Sequence, residues 1–433
     1  MQIEKLYELF KQYPVVTTDT RQCVPDSMFF ALKGASFDGN QFAAQALEQG
    51  CAYAVVDEAE YADPSNPRLI LVDDVLTCLQ QLARHHRHML GTKIIGVTGT
   101  NGKTTTKELI ATVLSQQFNV HYTQGNLNNH IGVPKTLLQL TNSHEIAVVE
   151  MGASHPGEIK TLVNIVEPDL GIITNVGKAH IEGFGSLEGV LHTKGELYDY
   201  LRTKEGSVVF IDQGNDLLLS IADGLRLVTY GTTGADDLCV GGEVLSCAPM
   251  LRFRWHHGAG EWHEVETHLI GTYNVTNMLA AACVGLYCGV SPEQIDNALA
   301  SYRPTNNRSQ LTITQHNRLV VDTYNANPTS MNAALCNFRD MEVSPKMAIL
   351  GSMYELGDIS EEEHRRVVSF LLENGFSQVW LVGEGFNLPG CPYRWFHDVE
   401  EVKKALLKEC PEGYYILIKG SNSNRLFELP ALL

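Results

Sequence analysis

Lys103 and Thr104 follow a glycine-bounded turn, Gly99-Thr100-Asn101-Gly102, which leads out of the apolar run Ile94-Ile95-Gly96-Val97-Thr98. A strand, a glycine-rich turn and a helix opening on Lys-Thr make a cradle for phosphate. The glycines let backbone N–H groups approach anionic oxygens, and the helix adds its positive end. In such a cradle Lys103 reaches the terminal phosphates and the Thr104 hydroxyl binds Mg²⁺. A tight strand–helix turn alone has no need for a lysine followed by Thr104, Thr105 and Thr106. The spacing is off the usual G-x-x-x-x-G-K-[ST] pattern, because five residues separate Gly96 from Gly102 and position 97 is Val.

Other polar groups gather near this loop in the sequence. A second apolar run, 146–149, ends in Glu150. Alone this reads as a solvated strand end; beside a phosphate loop the carboxylate is placed to hold Mg²⁺. Gly125-Asn126-Leu127-Asn128-Asn129-His130 precedes an apolar helix. A helix cap explains one asparagine of the three. Thr174-Asn175-Val176-Gly177-Lys178-Ala179-His180 follows a third apolar run. His180 there is a candidate metal or phosphate ligand, against the plainer reading of a lone histidine.

The elements that must carry these groups fall into three blocks. The first, to about residue 90, has strand-like runs at 27–32, 52–56 and 69–72, then a polar helix over 75–90. His85, His86 and His88 lie on that helix and read as a solvated face. The second has strands at 94–98, 146–150, 170–174 and 207–211, a helix over 104–116, antiparallel strands within 238–268 and a helix over 274–286. The third begins near Arg303-Pro304-Thr305 and has strands at 319–323, 347–350, 379–382 and 415–418. Strands alternating with helices predict an α/β fold with mostly parallel sheets.

Charge narrows the partners. The formal net charge is 32 − 50 = −18, which disfavours nucleic acid and anionic membranes. Ten cysteines, at 23, 51, 78, 239, 247, 283, 288, 336, 391 and 410, form no C-x-x-C pair. They read as buried free thiols in a reducing compartment. The opening MQIEKLYELFKQYP lacks a signal-peptide core, and the apolar stretch Met278 to Val290 is only 13 residues, too short to span a bilayer. A cytoplasmic protein without integral membrane association is expected.

Taken in order from residue 99 to 421, GTNGKTTT, GNLNNHIGVP, VVEMGAS, NVGKAHIEGFGS, KGEL, GTYNVTNMLAA, DTYNANPTSM and KGS resemble the Mur ligase family. Thr18-Asp19-Thr20-Arg21 and FFALKG-x-x-FDGN add to the resemblance, which covers nearly the whole chain. It implies three α/β domains: a small UDP-muramyl substrate domain at 1–90, a central P-loop-type ATP-binding domain at 91–304, and a C-terminal Rossmann-like domain at 305–433 that takes the incoming dipeptide. The segment Asp322-x-Tyr324-Asn325-Ala326-Asn327-Pro328-x-Ser330-Met331 is similar to the branch that adds D-alanyl-D-alanine to UDP-N-acetylmuramoyl-tripeptide. The Asp-Asn-Pro-Arg motif of the branch adding the third residue is not found.

The resemblance further implies a two-step amide synthesis through an acyl phosphate, with ATP, two Mg²⁺ ions and a monomeric enzyme. Residue by residue, it places Thr104 and Glu150 at one Mg²⁺, His180 at a second, and Lys194 as a carbamylated lysine ligand. Asn274 and Asn277 match adenine-side residues; Arg308 and Asp322 match groups reaching ATP phosphate and ribose. Asn128, Asn129, Asn325, Asn327 and Lys419 fall on the peptide and acyl side, and Thr20, Arg21, Lys33, Asp38 and Gly39 on the uridine side. Two positions depart from the pattern: Ser352 stands where the family usually has Asp, and Asn306-Asn307-Arg308-Ser309 lacks the usual glycine. Another ligase of the same superfamily is an alternative; its folate branch shares the loop but has no need of the N-terminal block. A nucleotide-dependent switch is a third reading, but it requires Asn-Lys-x-Asp, and Asn175-Val176-Gly177-Lys178 has the wrong order.

Overall fold

A computed structural model of the chain describes residues 2–232, 239–304 and 308–433. Thr305, Asn306 and Asn307, and position 238 at the start of the expected antiparallel region, lie outside the described residues. The chain forms two compact units: residues 1–96, 118–152 and 158–170 in one, and 97–117, 153–157 and 171–433 in the other.

In the first unit, Val15–Thr17, Ser27–Phe30, Tyr53–Val56 and Leu69–Leu71 make an all-parallel sheet in that order. Phe29, Ala43, Ala46 and Ala54 pack beneath it. The helix Val75–Leu90 starts on Asp74, whose carboxylate accepts the Thr77 N–H at 2.7 Å, and ends at the left-handed Gly91. Val75, Leu79, Leu82, Ala83 and His86 form its buried stripe, the 3.6-residue period of a core-facing helix. His86 therefore departs from the expected solvated face. Its Nε2 lies 2.9 Å from Leu140 O and its Nδ1 3.2 Å from the Tyr7 hydroxyl, and burial holds its pKa below the ordinary value. The unit also carries the parallel pair Val120–Tyr122 and Ile146–Glu150.

Strand Lys93–Thr98, buried at every position but Lys93, carries the chain from the first unit into the second. There Leu170–Ile173, Val208–Asp212, Leu227–Gly231, Val240–Cys247, Met250–His257 and His263–Ile270 lie side by side in sequence order. Pairing changes from parallel to antiparallel after Val240–Cys247. Helix Asn274–Cys288 is buried from Met278 through Gly285, as a helix apolar on all sides must be. A Cβ at Gly285 would meet Val113 at 2.5 Å, so this glycine lets the helix approach Lys103–Leu114, the helix that follows the loop.

The same unit holds a six-stranded sheet, ordered Gln310–Ile313, Arg318–Asp322, Tyr415–Lys419, Lys346–Gly351, Val379–Val382 and Arg394–Phe396. Only the first pairing is antiparallel. Both faces are covered, one by Met331, Leu335, Phe338 and Leu371, the other by Val402, Leu406, Leu426 and Leu429. This explains the continuous apolar runs of its inner strands.

The expected strands and helices are present within a few residues of their expected bounds. Val15–Thr17, Val120–Tyr122, Leu227–Gly231, Gln310–Ile313 and Arg394–Phe396 were not anticipated; all are short, and none is buried throughout. The cysteines are free thiols, but only Cys51, Cys78 and Cys283 are buried and Cys410 is exposed. The expectation of uniform burial fails because most sit near element ends. No helix among the described residues is long and apolar enough to cross a membrane.

Candidate active site

The glycine-rich turn of the second unit is held by side chains on every side. Gly99 has φ +138° and Gly102 φ +77°; a Cβ at Gly99 would lie 2.1 Å from Thr174 Oγ1, and one at Gly102 2.8 Å from Asn277 Oδ1. The Thr174 hydroxyl donates to Asn101 O at 2.6 Å and Asn175 Nδ2 donates to the same oxygen at 3.0 Å. Asn175 Oδ1 accepts the Asn101 N–H at 2.9 Å. The Gly177 N–H donates to Thr100 Oγ1 at 3.0 Å. Thr174, Asn175 and Gly177 thus form the frame of the loop. The sequence had marked this segment as polar but singled out only His180.

Lys103 opens the helix and turns its ammonium over the loop, donating to Gly99 O and Thr100 O, both at 2.9 Å. Thr104 and Thr105 are buried in the first helical turn. Thr106 Oγ1 donates to Asn277 Oδ1 at 3.1 Å, Asn277 Nδ2 to Asn274 Oδ1 at 2.9 Å, and Asn274 Nδ2 to Ile270 O at 2.8 Å. The two asparagines matched to the adenine side are therefore also a brace from the last central strand to the helix of the loop.

His180 sits in the left-handed region at φ +51°, with Nδ1 against the Glu355 carboxylate. Burial lowers its pKa; Glu355 opposes that, and the nearby cations Lys103 and Lys194 add to it. Lys103, His180 and Lys194 therefore share one electrostatic neighbourhood. Lys194 is 2% exposed; its Nζ donates to Ala153 O at 3.1 Å and lies 5.1 Å from the Phe184 ring centre. Neighbouring Glu196 accepts the Gly157 N–H at 2.9 Å.

Residues after 308 meet this region. Asn327 Nδ2 donates to Asn101 Oδ1 at 2.8 Å, while Asn327 Oδ1 caps helix Pro328–Asp340 by accepting the Ser330 N–H at 2.9 Å. Lys178 N–H donates to Thr329 Oγ1 at 3.1 Å and Lys178 Nζ to Glu363 Oε1 at 2.8 Å. Asp322 and Lys419 face each other on paired strands. The buried Lys419 ammonium donates to Asp322 Oδ2 at 2.6 Å and lies 3.4 Å from Asn325 O. The Arg308 guanidinium stacks 3.9 Å above the Tyr324 ring, with its Nε buried and without a hydrogen-bond partner among the described residues. Tyr324 and Lys178 stand inside the quoted motifs but were given no role there, and Glu363 was missed by sequence reasoning, since no local pattern marks it.

In the first unit Glu150 is 1% exposed, and its Oε1 accepts from Asn128 Nδ2 at 2.8 Å. Asn129 Oδ1 accepts the Ile131 N–H at 3.1 Å and the Gly132 N–H at 2.8 Å, at the start of helix Gly132–Leu137. One asparagine thus holds the turn before the helix and another aims at the carboxylate. Elsewhere in this unit Lys33 Nζ bridges Asp57 Oδ1 at 2.9 Å and Glu58 Oε1 at 2.8 Å. Asn40 Nδ2 joins Asp38 Oδ1 at 2.8 Å to Asp57 Oδ1 at 2.9 Å. Burial would raise the Asp57 carboxyl, but Lys33, Asn40 and the Val75 N–H outweigh it and hold it below its ordinary value. A Cβ at Gly39 would sit 2.3 Å from Leu32 O. Thr20 and Arg21 lie in a single turn where the Arg21 guanidinium clasps Asp19 at 2.7 Å and holds that carboxyl at about 2.

Comparisons with known proteins match the chain along most of its length. Family models for the Mur ligase family catalytic domain, the Mur ligase middle domain and the Mur ligase glutamate ligase domain match residues 12–87, 97–285 and 307–422. The chain is 36% identical over 425 residues to UDP-N-acetylmuramoyl-tripeptide–D-alanyl-D-alanine ligase of Bacillus subtilis (strain 168), covering 96% of this chain and 92% of that one. It is 35% identical over 372 residues to the Escherichia coli (strain K12) protein of the same name, covering 85% and 81%. A crystal structure of MurF from Acinetobacter baumannii matches with a TM-score of 0.88 at 30% identity, over 99% of this chain and 98% of that chain. MurF from Thermotoga maritima, solved in complex with ADP, matches at 0.85 and 26% identity, over 97% of each. The α/β fold in three domains is that of these structures.

Proposed function

The chain belongs to the Mur ligase family and is an ATP-dependent ligase of UDP-N-acetylmuramoyl-tripeptide and D-alanyl-D-alanine; we propose that it works through an acyl phosphate formed at the loop Gly99 to Thr104. The observation that supports this most is the loop itself. Its backbone is fixed by Thr174, Asn175 and Gly177, Lys103 lies over its mouth, and Asn327 contacts it from the C-terminal block.

Both steps bring anions together, so donors fixed in advance lower the barrier. We assign the loop residues Gly99, Thr100, Asn101 and Gly102, with Lys103, Thr104 and Thr105 of the first helical turn, to the ATP phosphates. The tripeptide carboxylate attacks the γ-phosphorus and ADP leaves. The dipeptide amine then attacks the acyl carbon and phosphate leaves. We assign Arg308 to the transferring phosphate, Asp322 to the ribose, and Asn274 and Asn277 to the adenine side. Asn128, Asn129, Asn325, Asn327 and Lys419 go to the peptide and acyl side, and Thr20, Arg21, Lys33, Asp38 and Gly39 to the uridine side. The corresponding domains are 1–90, 91–304 and 305–433.

We assign Mg²⁺ to four residues on the chemistry of each side chain. Thr104 offers a hydroxyl, Glu150 a buried carboxylate, and His180 an imidazole whose pKa burial lowers. Lys194 fits as a carbamate, which would turn a buried cation into an oxygen ligand of negative charge. Mg²⁺ bound there supplies Lewis acidity and charge neutralisation at the phosphates. A monomer in the cytoplasm completes the reading. Phosphate release tests it: it should require ATP, UDP-N-acetylmuramoyl-tripeptide and D-alanyl-D-alanine together. Equal stimulation by glutamate in place of the dipeptide would point to another branch of the superfamily.

A further inference from the structure

Cys23 and Cys51 have no part in the assignments above. Cys51 is fully buried just before strand Tyr53–Val56, and Cys23, half-buried, ends the turn Thr20–Gln22. Their sulfurs lie 3.1 Å apart. The chain beneath them is already tied together: the Asp26 N–H donates to Gly50 O at 3.0 Å and the Ala52 N–H to Ser27 O at 2.7 Å. Ser27 Oγ lies 3.2 Å from Cys51 Sγ and donates to Val24 O at 2.7 Å. A disulfide needs sulfurs about 2.05 Å apart, so side-chain movement of about 1 Å closes the gap on a backbone that is held in place.

We propose that Cys23 and Cys51 are a modification site, a dithiol that low-molecular-weight disulfides convert reversibly to a disulfide, pinning the Thr20–Gln22 turn to the strand that follows Cys51. The more exposed Cys23 loses its proton and attacks one sulfur of the oxidant. This forms a mixed disulfide and releases one thiolate, which takes up that proton. Cys51 then loses its proton and attacks Cys23 Sγ, expelling the second thiolate, which is protonated in turn. Two S–H bonds become one S–S bond, and two electrons and two protons leave with two molecules of thiol. Burial, and after it the Cys51 neighbour, push the Cys23 thiol up to about 12, so attack by Cys23 is slow at neutral pH. The pinned turn carries Thr20 and Arg21, so the effect on catalysis, unlike the disulfide itself, rests on their uridine-side assignment.

The full-length protein is incubated with oxidised glutathione, quenched in acid, alkylated, digested and mapped by mass spectrometry. The expected product is a peptide pair linked through Cys23 and Cys51, lost on treatment with dithiothreitol. Cys23→Ser should give no linked pair, and Cys23→Ala serves equally if the serine variant folds poorly. Oxidised wild type should show a several-fold change in KM for the UDP-linked substrate that oxidised Cys23→Ser lacks. Glutathione resting on Cys23 without a Cys23–Cys51 link would overturn the proposal. A linked peptide with unchanged KM would uphold the disulfide and remove Thr20 and Arg21 from the uridine side.

Discussion

Replacing Gly99 by alanine perturbs the loop at its most constrained point. Gly99 has φ +138°, and the added Cβ would lie 2.1 Å from Thr174 Oγ1 and 2.9 Å from Thr174 N. Two costs add. The backbone conformation is one that residues with side chains rarely adopt, at about 1–3 kcal/mol. The collision also drives Thr174 off the hydrogen bond it donates to Asn101 O at 2.6 Å, about 1 kcal/mol more. Together these give a loss of stability of about 2–4 kcal/mol. Because Thr174 and Asn175 hold the same Asn101 oxygen, the displacement reaches the N–H groups of the loop. Losing about 1.4–2.8 kcal/mol of transition-state stabilisation from those displaced donors should lower kcat/KM for ATP about 10- to 100-fold. Gly206→Ala separates strain from collision: its φ is +74° and nothing lies within 4 Å of the new Cβ. That variant should lose about 1–2 kcal/mol and keep its ATP kinetics. Thermal melts and initial rates measure both. Wild-type ATP kinetics in Gly99→Ala, with a melt no lower than that of Gly206→Ala, would refute the reasoning.

Three further outcomes follow from the same geometry. Asn327→Ala should lose both the helix cap and the donor to Asn101, lowering stability by about 1 kcal/mol and also kcat. Asn327→Asp keeps the cap and should lower kcat alone; equal melts for the two variants would contradict this. Burial lowers the pKa of His86, His121, His180 and His364, so the unfolded chain binds more protons below the ordinary imidazole value of 6.5. Their contribution is therefore intact above that pH and lost as pH falls below it; thermal melts between about pH 8 and 5 should show the decline, less steeply in His86→Gln. Lys194→Ala should lose turnover and regain part of it with acetate or other short carboxylates; no response from any Lys194 variant would count against a carbamate.

The parts of the site legible in the sequence were those whose chemistry is local. A strand, paired glycines and Lys-Thr announce a phosphate loop because their backbone demands are met within a few residues. That one of the three asparagines at 126–129 serves the helix start was legible for the same reason. What holds the loop was not, since Thr174, Asn175 and Asn327 find their partners only through strand order and domain connection. Asn274 and Asn277 show the converse: the family pattern marks them, yet only the structure shows their amides bracing the loop helix. His86 was misread although the signal was present. It continues the stripe Leu79, Leu82 and Ala83, and the helical period outweighs the polarity of its neighbours.

Ser352, where the family usually has Asp, is explained by its surroundings. The residue is 2% exposed. Its hydroxyl donates to Val382 O at 3.2 Å and accepts the Gly385 N–H at 3.0 Å, tying the end of one inner strand to the turn beyond the next. A carboxylate can accept from Gly385 but has no proton for Val382 O, and it would face that carbonyl as a buried anion. A Cβ at Gly383 would already lie 2.6 Å from Ser352 Oγ, so the pocket has little room for a larger group. Ser352→Asp should therefore lower stability by about 1–3 kcal/mol, and by less as the pH falls and the carboxyl regains a proton to donate. Ser352→Ala loses both hydrogen bonds without a charge and should lie between wild type and Asp. A melt of Ser352→Asp at neutral pH as high as wild type, or a turnover above it, would mean that the Asp of the other family members is accommodated here and that the serine is not fitted to this turn.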